Sequence, residues 1–270
     1  MSKFSNYLKH VRSSGRSYFD LEEAMGHLKV SKESTLSAIY RLKKEGDLIS
    51  PAKGLYVIIP PEHLKFGCVP AEELLPILAK YLGLNYYAGL LTAALYHEAT
   101  HQKPNSFQVI CDKRIRTKLE FGQVRIDFIY KKSLANLPVR QVVVRTGYLN
   151  VSSPELTVMD LLLYPDKSGG LNHIATVLSE IILNDQEIIK LADNSKSKSW
   201  LQRLGYIIDK IGHDSGEENY ANHLVSKNIK KYLSSQKIKF TPLASEIPTK
   251  GYARCKQWKI IENSTIESDL

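Results

Sequence analysis

The sequence of 270 residues lacks the features of disulfide-rich, zinc-knuckle and membrane-spanning proteins. Its three cysteines, Cys68, Cys111 and Cys255, are odd in number and far apart, so they are interpreted as small buried hydrophobes. No apolar run approaches the roughly 20 residues that are needed to span a bilayer. Because no apolar stretch follows Lys3, a signal peptide is not expected, and the default prediction is a cytoplasmic protein.

Enzyme motifs are almost absent. The sequence has no glycine-rich phosphate loop and no GxSxG nucleophile motif. Residues 97–101 read HEATH and match the HExxH pattern, in which two histidines bind zinc and the glutamate activates water. The approach to Pro104 predicts a fraying helix end, so these side chains are interpreted as helix caps. Asp127, Glu155 and Asp160 are scattered acids, and no enzyme activity, metal or cofactor is predicted.

Positive charge is concentrated at the two ends of the chain. The formal net charge is +9, and residues 1–60 contain 10 Lys and Arg against 6 Asp and Glu. Residues 196–259 contain 13 against 5, whereas residues 61–190 are close to neutral with 14 against 13. Basic clusters neutralise phosphates and release counterions, so this distribution indicates a polyanionic partner. The alternative is a basic protein whose charge only keeps it in solution.

The first sixty residues predict a winged helix-turn-helix. Apolar residues in Phe4–Val11 form one helical face, and Asp20 is in position to cap a second helix. Ser31 is the predicted cap of a third helix that runs to about Glu45. Two strands around the turn at residues 51–54 complete the pattern.

The third helix is the predicted DNA-reading element. Leu36, Ile39 and Leu42 are expected to face the core. The opposite side presents small hydroxyls and long cations, which can approach base edges, read guanine and reach phosphates. The predicted DNA-binding residues are Ser34, Ser37, Arg41 and Lys44 of this helix, and Lys53 at the tip of the hairpin. The alternative is a winged helix that docks a protein.

After the break at Pro60-Pro61-Glu62 the pattern becomes mixed and then helical. Helices are expected over 72–83, 86–97, 171–183, 200–212 and 221–236, and strands over 106–111, 122–130, 141–144 and 258–261. The predicted domains are residues 1–60, 61–165 and 166–270. The predicted fold class is α+β, with an N-terminal winged helix-turn-helix, a mixed α/β domain and a helical C-terminal subdomain.

Ser152-Ser153-Pro154-Glu155 predicts the start of a further helix. A serine cap, a proline and a first-turn glutamate are typical of that position. Asp160 falls on the inner stripe of this helix, and Arg145 is its expected partner. We interpret this segment as structural.

Several segments carry a family resemblance when they are taken in order. They are residues 96–105 (YHEATHQKPN), 146–148 (TGY), 151–161 (VSSPELTVMDL), 168–175 (SGGLNHIA) and 200–206 (WLQRLGY). Together with the predicted winged helix, they resemble the AbiEi-type antitoxins of abortive-infection (type IV) toxin–antitoxin systems. The resemblance spans nearly the whole chain, and the SSPE…D and RLGY stretches are its most specific parts.

The resemblance implies a non-enzymatic autorepressor and antitoxin that acts in phage defence. Such antitoxins bind inverted repeats in their own promoter through the winged helix. They also counteract a nucleotidyltransferase-type toxin without requiring a stable complex. The implied partners are therefore double-stranded DNA and that toxin, with no membrane involved.

The C-terminal basic region has a less defined role. Its candidate patch consists of Lys230, Lys231, Lys237 and Lys239. These lysines would contact DNA or support the antitoxic function, and the alternative is a solvated helix face. Two other functions remain open at this point, a nuclease guided by the winged helix and a ligand-sensing transcriptional regulator.

Overall fold

The computed structural model describes residues 3–100, 102–115, 118–215 and 222–266. Within these residues the fold is mixed α+β with three sheets. The chain divides into two compact units. Unit 1 comprises Met1–Tyr87, Asn105–Leu134 and Gln141–Asn150, and unit 2 comprises Ala88–Pro104, Ala135–Arg140 and Val151–Leu270. The three continuous domains expected from the sequence stay a prediction.

Unit 1 begins with three helices and a three-stranded antiparallel sheet, which we call the N-terminal module (residues 3–59). Its elements are α1 (Lys3–Ser13), β1 (Tyr18–Asp20), α2 (Leu21–Leu28), α3 (Lys32–Glu45), β2 (Leu48–Ala52) and β3 (Leu55–Ile58). The strand order is β1-β3-β2. Phe4, Tyr7 and Phe19 pack edge to face in its core, and Phe19 stacks on Tyr56 of the paired strand.

Two features of the N-terminal module differ from the sequence-based expectation. The short strand β1 was not predicted. Leu36 was expected in the core, but it is 38% exposed, whereas Ile39 is 2% exposed as predicted. Thr35 takes the inner position because its hydroxyl donates to the Ser31 carbonyl at 3.0 Å, so that its burial leaves no unpaired polar group.

A six-stranded mixed sheet follows the helix α4 (Ala71–Leu82). Its strands are β4 (Tyr86–Ala88), β5 (Phe107–Cys111), β6 (Leu119–Phe121), β7 (Val124–Tyr130), β8 (Val139–Val144) and β9 (Gly147–Ser152). The order is β6-β7-β5-β4-β9-β8. Strands β5, β6 and β7 lie wholly in unit 1, and the other three each have residues in both units. The pair β5/β7 is parallel and the pair β6/β7 is antiparallel.

The helix predicted over 86–97 is wrong in its first part. Residues Tyr86–Ala88 form the buried strand β4, and α5 (Leu90–Tyr96) begins only after Gly89. Adjacent tyrosines favour a strand, and Gly89 has an extended backbone that separates the two elements. The apolar period of a short buried segment does not distinguish a strand from a helix.

Unit 2 is mainly helical. Beyond α5 it contains α6 (Pro154–Leu163), α7 (Gly170–Glu180), α8 (Asp185–Asn194), α9 (Ser199–Ser215) and α10 (His223–Ser234). The sequence did not predict α8, although Asn184 caps it through the amides of Gln186 and Glu187. A small sheet of the order β10-β12-β11 completes the unit, with β10 (Thr241–Pro242), β11 (Arg254–Cys255) and β12 (Ile260–Ile261).

The core of unit 2 depends on close packing between α9 and Trp258. Trp258 is buried and donates its indole N–H to Asp209 at 2.9 Å. The Trp258 ring lies directly against Gly205, where a Cβ atom would come within 2.1 Å of the ring. The glycine of the RLGY stretch is therefore required for packing. None of the described helices is long and apolar enough to span a bilayer.

Candidate nucleic-acid interface

Helix α3 is fixed at both ends by its own sequence. Ser31 accepts a hydrogen bond from the Ser34 amide at 3.2 Å, and this caps the first turn. Gly46 adopts a left-handed conformation with φ of 86° and closes the last turn onto Leu42 and Lys43. Ile39 anchors the inner face in the core. The serine start and the glycine stop predicted from the sequence are confirmed, and they hold the outer face in a defined orientation.

The predicted DNA-binding residues of α3 are all exposed. Ser37 and Lys44 lie on the side opposite Ile39, whereas Ser34 and Arg41 lie on the flank that faces α1. The Ser34 hydroxyl also accepts a hydrogen bond from the Ser31 hydroxyl at 3.2 Å, so Ser34 takes part in the helix cap. Among the described residues, no carboxylate forms a salt bridge with Arg41 or Lys44.

A cleft of about 590 Å³ runs between α1, α3 and the segment after β3. Ser34 and Arg41 line it on one side. The opposite side is formed by cationic residues of α1 that the sequence analysis did not select, namely Lys3, Lys9 and Arg12. Glu45 and Asp47 also contribute to the wall. The sequence of α1 indicated that these cations are exposed, because all three lie outside its buried apolar stripe.

Lys53 lies at the tip of the hairpin, and its side chain is exposed. The hairpin turn is tighter than predicted, because β2 extends through Pro51 to Ala52 and leaves only Lys53 and Gly54 between the strands. The hydroxyl of Tyr81 in α4 donates to the Lys53 carbonyl at 3.0 Å. The tip is therefore held in place within unit 1.

The outer face of α3 contains three side chains that the sequence analysis did not assign to it. Tyr40 is 68% exposed and Leu36 is 38% exposed. Glu33 lies in the first turn, where the backbone N–H groups and the Ser31 hydroxyl lower the pKa of its carboxyl group. This carboxylate disfavours a close phosphate at the start of α3, whereas Lys43 and Lys44 near its end favour one.

The C-terminal basic patch is exposed in unit 2. Lys230 and Lys231 lie on the outer side of α10, whose inner side buries Val225, Ile229 and Leu233. Lys237 and Lys239 follow the end of the helix and are also exposed. Their exposure fits both a nucleic-acid contact and a solvated helix face, so their role stays a prediction.

Residues 97–100 of the HEATH segment are not on a helix. Helix α5 ends at Tyr96, and the His97 ring nitrogen Nε2 lies 2.8 Å from the Ser152 carbonyl. Burial lowers the pKa of His97, so the neutral ring is favoured. His101 lies outside the described residues. Within those residues no cluster of three or more His, Cys, Asp and Glu side chains is placed to hold a metal.

The SSPE segment starts α6 as predicted. Ser153 accepts from the Leu156 amide at 3.3 Å and donates its hydroxyl hydrogen to Glu155 at 2.8 Å. The second carboxylate oxygen of Glu155 accepts from the Asn184 amide at 3.0 Å. Arg145 binds Glu73 at 2.6 Å, and its expected pairing with Asp160 stays a prediction.

Comparison with known proteins shows a family match and a shared fold. Residues 87–210 match the family model of the AbiEi antitoxin C-terminal domain. No curated protein sequence matches the chain. The crystal structure of the RV2827C protein from Mycobacterium tuberculosis superposes with a TM-score of 0.64 at 16% sequence identity. The superposition covers 96% of this chain and 90% of that chain, so the fold is shared over nearly its whole length.

A second solved structure is much less similar. It is an antigenic nucleotidyltransferase-like protein from Paracoccidioides brasiliensis, with a TM-score of 0.34 and 10% sequence identity. The superposition covers 59% of this chain and 90% of that chain. A TM-score this low does not establish a common fold.

Proposed function

We propose that this chain is an antitoxin of the AbiEi type, whose C-terminal domain model matches residues 87–210, and that it also binds the DNA of its own promoter and represses its transcription. The resemblance inferred from the sequence is confirmed by the family match over these residues. The family implies a toxin as the functional partner and favours a role without catalysis. The proposal adds the DNA-binding role of the N-terminal module, which lies outside the matched range.

The observation that carries the proposal is the exposed, cation-bearing face of α3. The order α1-β1-α2-α3-β2-β3 supports the proposed winged helix-turn-helix, a motif in which the second helix of the pair enters the major groove. Here that helix is α3, and its exposed cations are continuous with those of α1 around the cleft. A positive surface of this kind attracts the phosphate backbone on both sides of a groove.

The residues have distinct proposed roles. Arg41 would read a guanine or a phosphate from the cleft side, and Ser37 is short enough to let the helix approach base edges. Lys44 and the hairpin residue Lys53 would contact phosphates. The α1 cations Lys9 and Arg12 would extend the phosphate contact beyond the recognition helix.

The antitoxic role is proposed for the matched domain. We infer that residues 87–210 counteract a nucleotidyltransferase-type toxin, and that no stable complex is required for this. The repressor and antitoxin roles would then belong to different residue ranges. Inverted repeats in the promoter would bring two copies of the chain together on the DNA.

A gel-shift titration with the gene's own upstream DNA tests the repressor role. The full-length chain is titrated against this DNA and against scrambled DNA of equal length, at two salt concentrations. We expect selective binding whose affinity falls steeply with salt, because phosphate contacts release counterions. Equal and weak affinity for both DNAs would refute autorepression and leave the antitoxin assignment intact.

Arg41→Ala provides the residue-level test in the same assay. Loss of an arginine that reads a base should weaken binding to the promoter by about 1–3 kcal/mol. The matched control is Arg125→Ala, which removes another exposed arginine of unit 1 that lies on β7. If both variants bind like the unaltered chain, Arg41 is not on the DNA-reading face.

A further inference from the structure

Two large apolar side chains lie on the outer face of α3. Leu36 and Tyr40 are one helical turn apart and are 38% and 68% exposed, respectively. The inner apolar residue of the same helix, Ile39, is 2% exposed. Since residues four apart are neighbours on a helix surface, Leu36 and Tyr40 form a small continuous apolar strip. We call these two residues the α3 strip.

The surroundings of the α3 strip indicate what covers it. Lys43 and Lys44 follow it along the helix, and Ser37 lies beside Tyr40, three residues before it. The nearby cations complement phosphates, and the short serine allows the helix to come close to its partner. The carboxylate of Glu33 precedes the strip at the start of the helix. A helix with apolar side chains in its middle and cations near its end matches a groove that is lined by phosphates and has apolar groups on its floor.

The thymine methyl group is the apolar group that the major groove offers to an apolar side chain. We propose that Leu36 and Tyr40 contact thymine 5-methyl groups, and that α3 thereby selects sites with thymine at defined positions. This inference rests on the proposed DNA binding and specifies what the recognition helix reads. Ser37 and Lys44 would supply polar contacts beside the strip, and Arg41 would contact the DNA from the cleft side.

Replacement of thymine by uracil tests the proposal without altering the protein. Uracil lacks the 5-methyl group and keeps the Watson–Crick hydrogen bonds. The full-length chain is titrated against its upstream duplex and against the same duplex with uracil in place of thymine. Burial of one methyl group corresponds to about a four-fold change in affinity, so we expect the uracil duplex to bind at least about four-fold more weakly.

Variants of the strip assign the effect to these residues. Leu36→Ala should bind the thymine duplex more weakly than the unaltered chain does. Replacing thymine by uracil should then weaken the binding of this variant little further, because the variant lacks the leucine side chain that contacts the methyl group. Tyr40→Ala should behave likewise, whereas Tyr40→Phe should keep the discrimination because its ring remains. The matched control is Leu95→Ala, which shortens a leucine of similar exposure, 36%, in α5 of unit 2.

Each outcome has a separate meaning. Selective binding of the promoter with equal affinity for the thymine and uracil duplexes would overturn the thymine contact while leaving the repressor in place. If Leu36→Ala weakens binding to both duplexes equally, the strip acts elsewhere, for example between two copies of the chain, and the proposal is wrong. If the chain shows no selectivity for its upstream DNA, the proposed function itself fails.

Discussion

Helices α3 and α6 begin in the same way and end up in opposite surroundings. A serine caps each one, Ser31 for α3 and Ser153 for α6, and each serine accepts from the amide three residues later. In α3 only Thr35 and Ile39 are buried among its 14 residues. In α6 every residue from Glu155 to Leu162 is buried. The local signal that starts a helix therefore does not determine whether the helix becomes buried or stays exposed.

The contrast separates the residues that carry the family resemblance from those proposed to bind DNA. The SSPE stretch, which carries much of the resemblance, is buried, and the polar groups of Ser153 and Glu155 are bonded within unit 2. Arg41 and Lys44 of α3 are exposed, and no carboxylate of the described residues forms a salt bridge with them. Substitutions in the first group should lower stability, and substitutions in the second should lower affinity for DNA.

The largest expected effect is a loss of stability in the buried core of unit 2. In Gly205→Ala the new Cβ atom would meet the Trp258 ring at 2.1 Å. We expect a loss of about 3 kcal/mol in the free energy of unfolding, or more, because the ring is buried and cannot move aside. Denaturant unfolding followed by circular dichroism measures this loss.

Gly26→Ala is the matched control for this substitution. Gly26 lies in α2, and an added Cβ atom would meet nothing within 4 Å. Alanine should therefore stabilise the protein by about 0.5–1 kcal/mol through its higher helix propensity. If Gly205→Ala were tolerated as well as Gly26→Ala, the close packing of α9 on Trp258 would be wrong.

The two serine caps allow the sharpest test, since the same substitution is made in both helices. Ser31→Ala should cost about 1 kcal/mol, the usual cost of losing an exposed N-cap. Ser153→Ala should cost about 2 kcal/mol, because it also removes the buried hydroxyl that donates to Glu155. Denaturant unfolding measures both losses. If the two variants lose the same free energy of unfolding, burial of the Ser153 hydroxyl adds no stability beyond that of an exposed cap, and the expected contrast between α3 and α6 is wrong.

The smallest effect is a pH dependence in unit 2. Burial lowers the pKa of His97 below its ordinary value of 6.5, so the unfolded chain binds a proton at a higher pH than the folded chain. Stability should therefore be complete above about pH 6.5 and should fall as the pH decreases below it. In thermal unfolding at pH 7.5 and pH 5.5, His97→Gln should show a smaller loss of Tm than the unaltered chain. An identical loss in both would assign the pH dependence to other groups.

The sequence predicted those parts of the fold that depend on neighbouring residues. The caps Ser31 and Ser153 and the stop at Gly46 are local signals, and all three are confirmed. Strand β1 was missed because its three residues become a strand only by pairing with β3, about 37 residues further along the chain. The partner of Glu155 could not be inferred for the same reason, because the Asn184 amide is 29 residues away.

The candidate site was predicted in part. An apolar periodicity assigns every leucine to the core, and this overestimated the burial of Leu36, which is 38% exposed. The burial of Thr35 instead depends on a hydrogen bond to the Ser31 carbonyl, which hydrophobicity does not record. The exposure of Ser34, Ser37, Arg41 and Lys44 was predicted from the apolar periodicity of α3 and is observed. The approach of the α1 cations to Arg41 required the packing of two helices.

The hydrogen bond from Tyr81 to the Lys53 carbonyl has a consequence for the thermodynamics of binding. Fixing the backbone of a free loop residue costs about 1–2 kcal/mol in conformational entropy. At this hairpin tip the cost is met during folding, since Tyr81 holds the turn before any partner arrives. Docking of Lys53 would then order little more than its own side chain, and this preorganisation favours a rigid fit over an adaptive one.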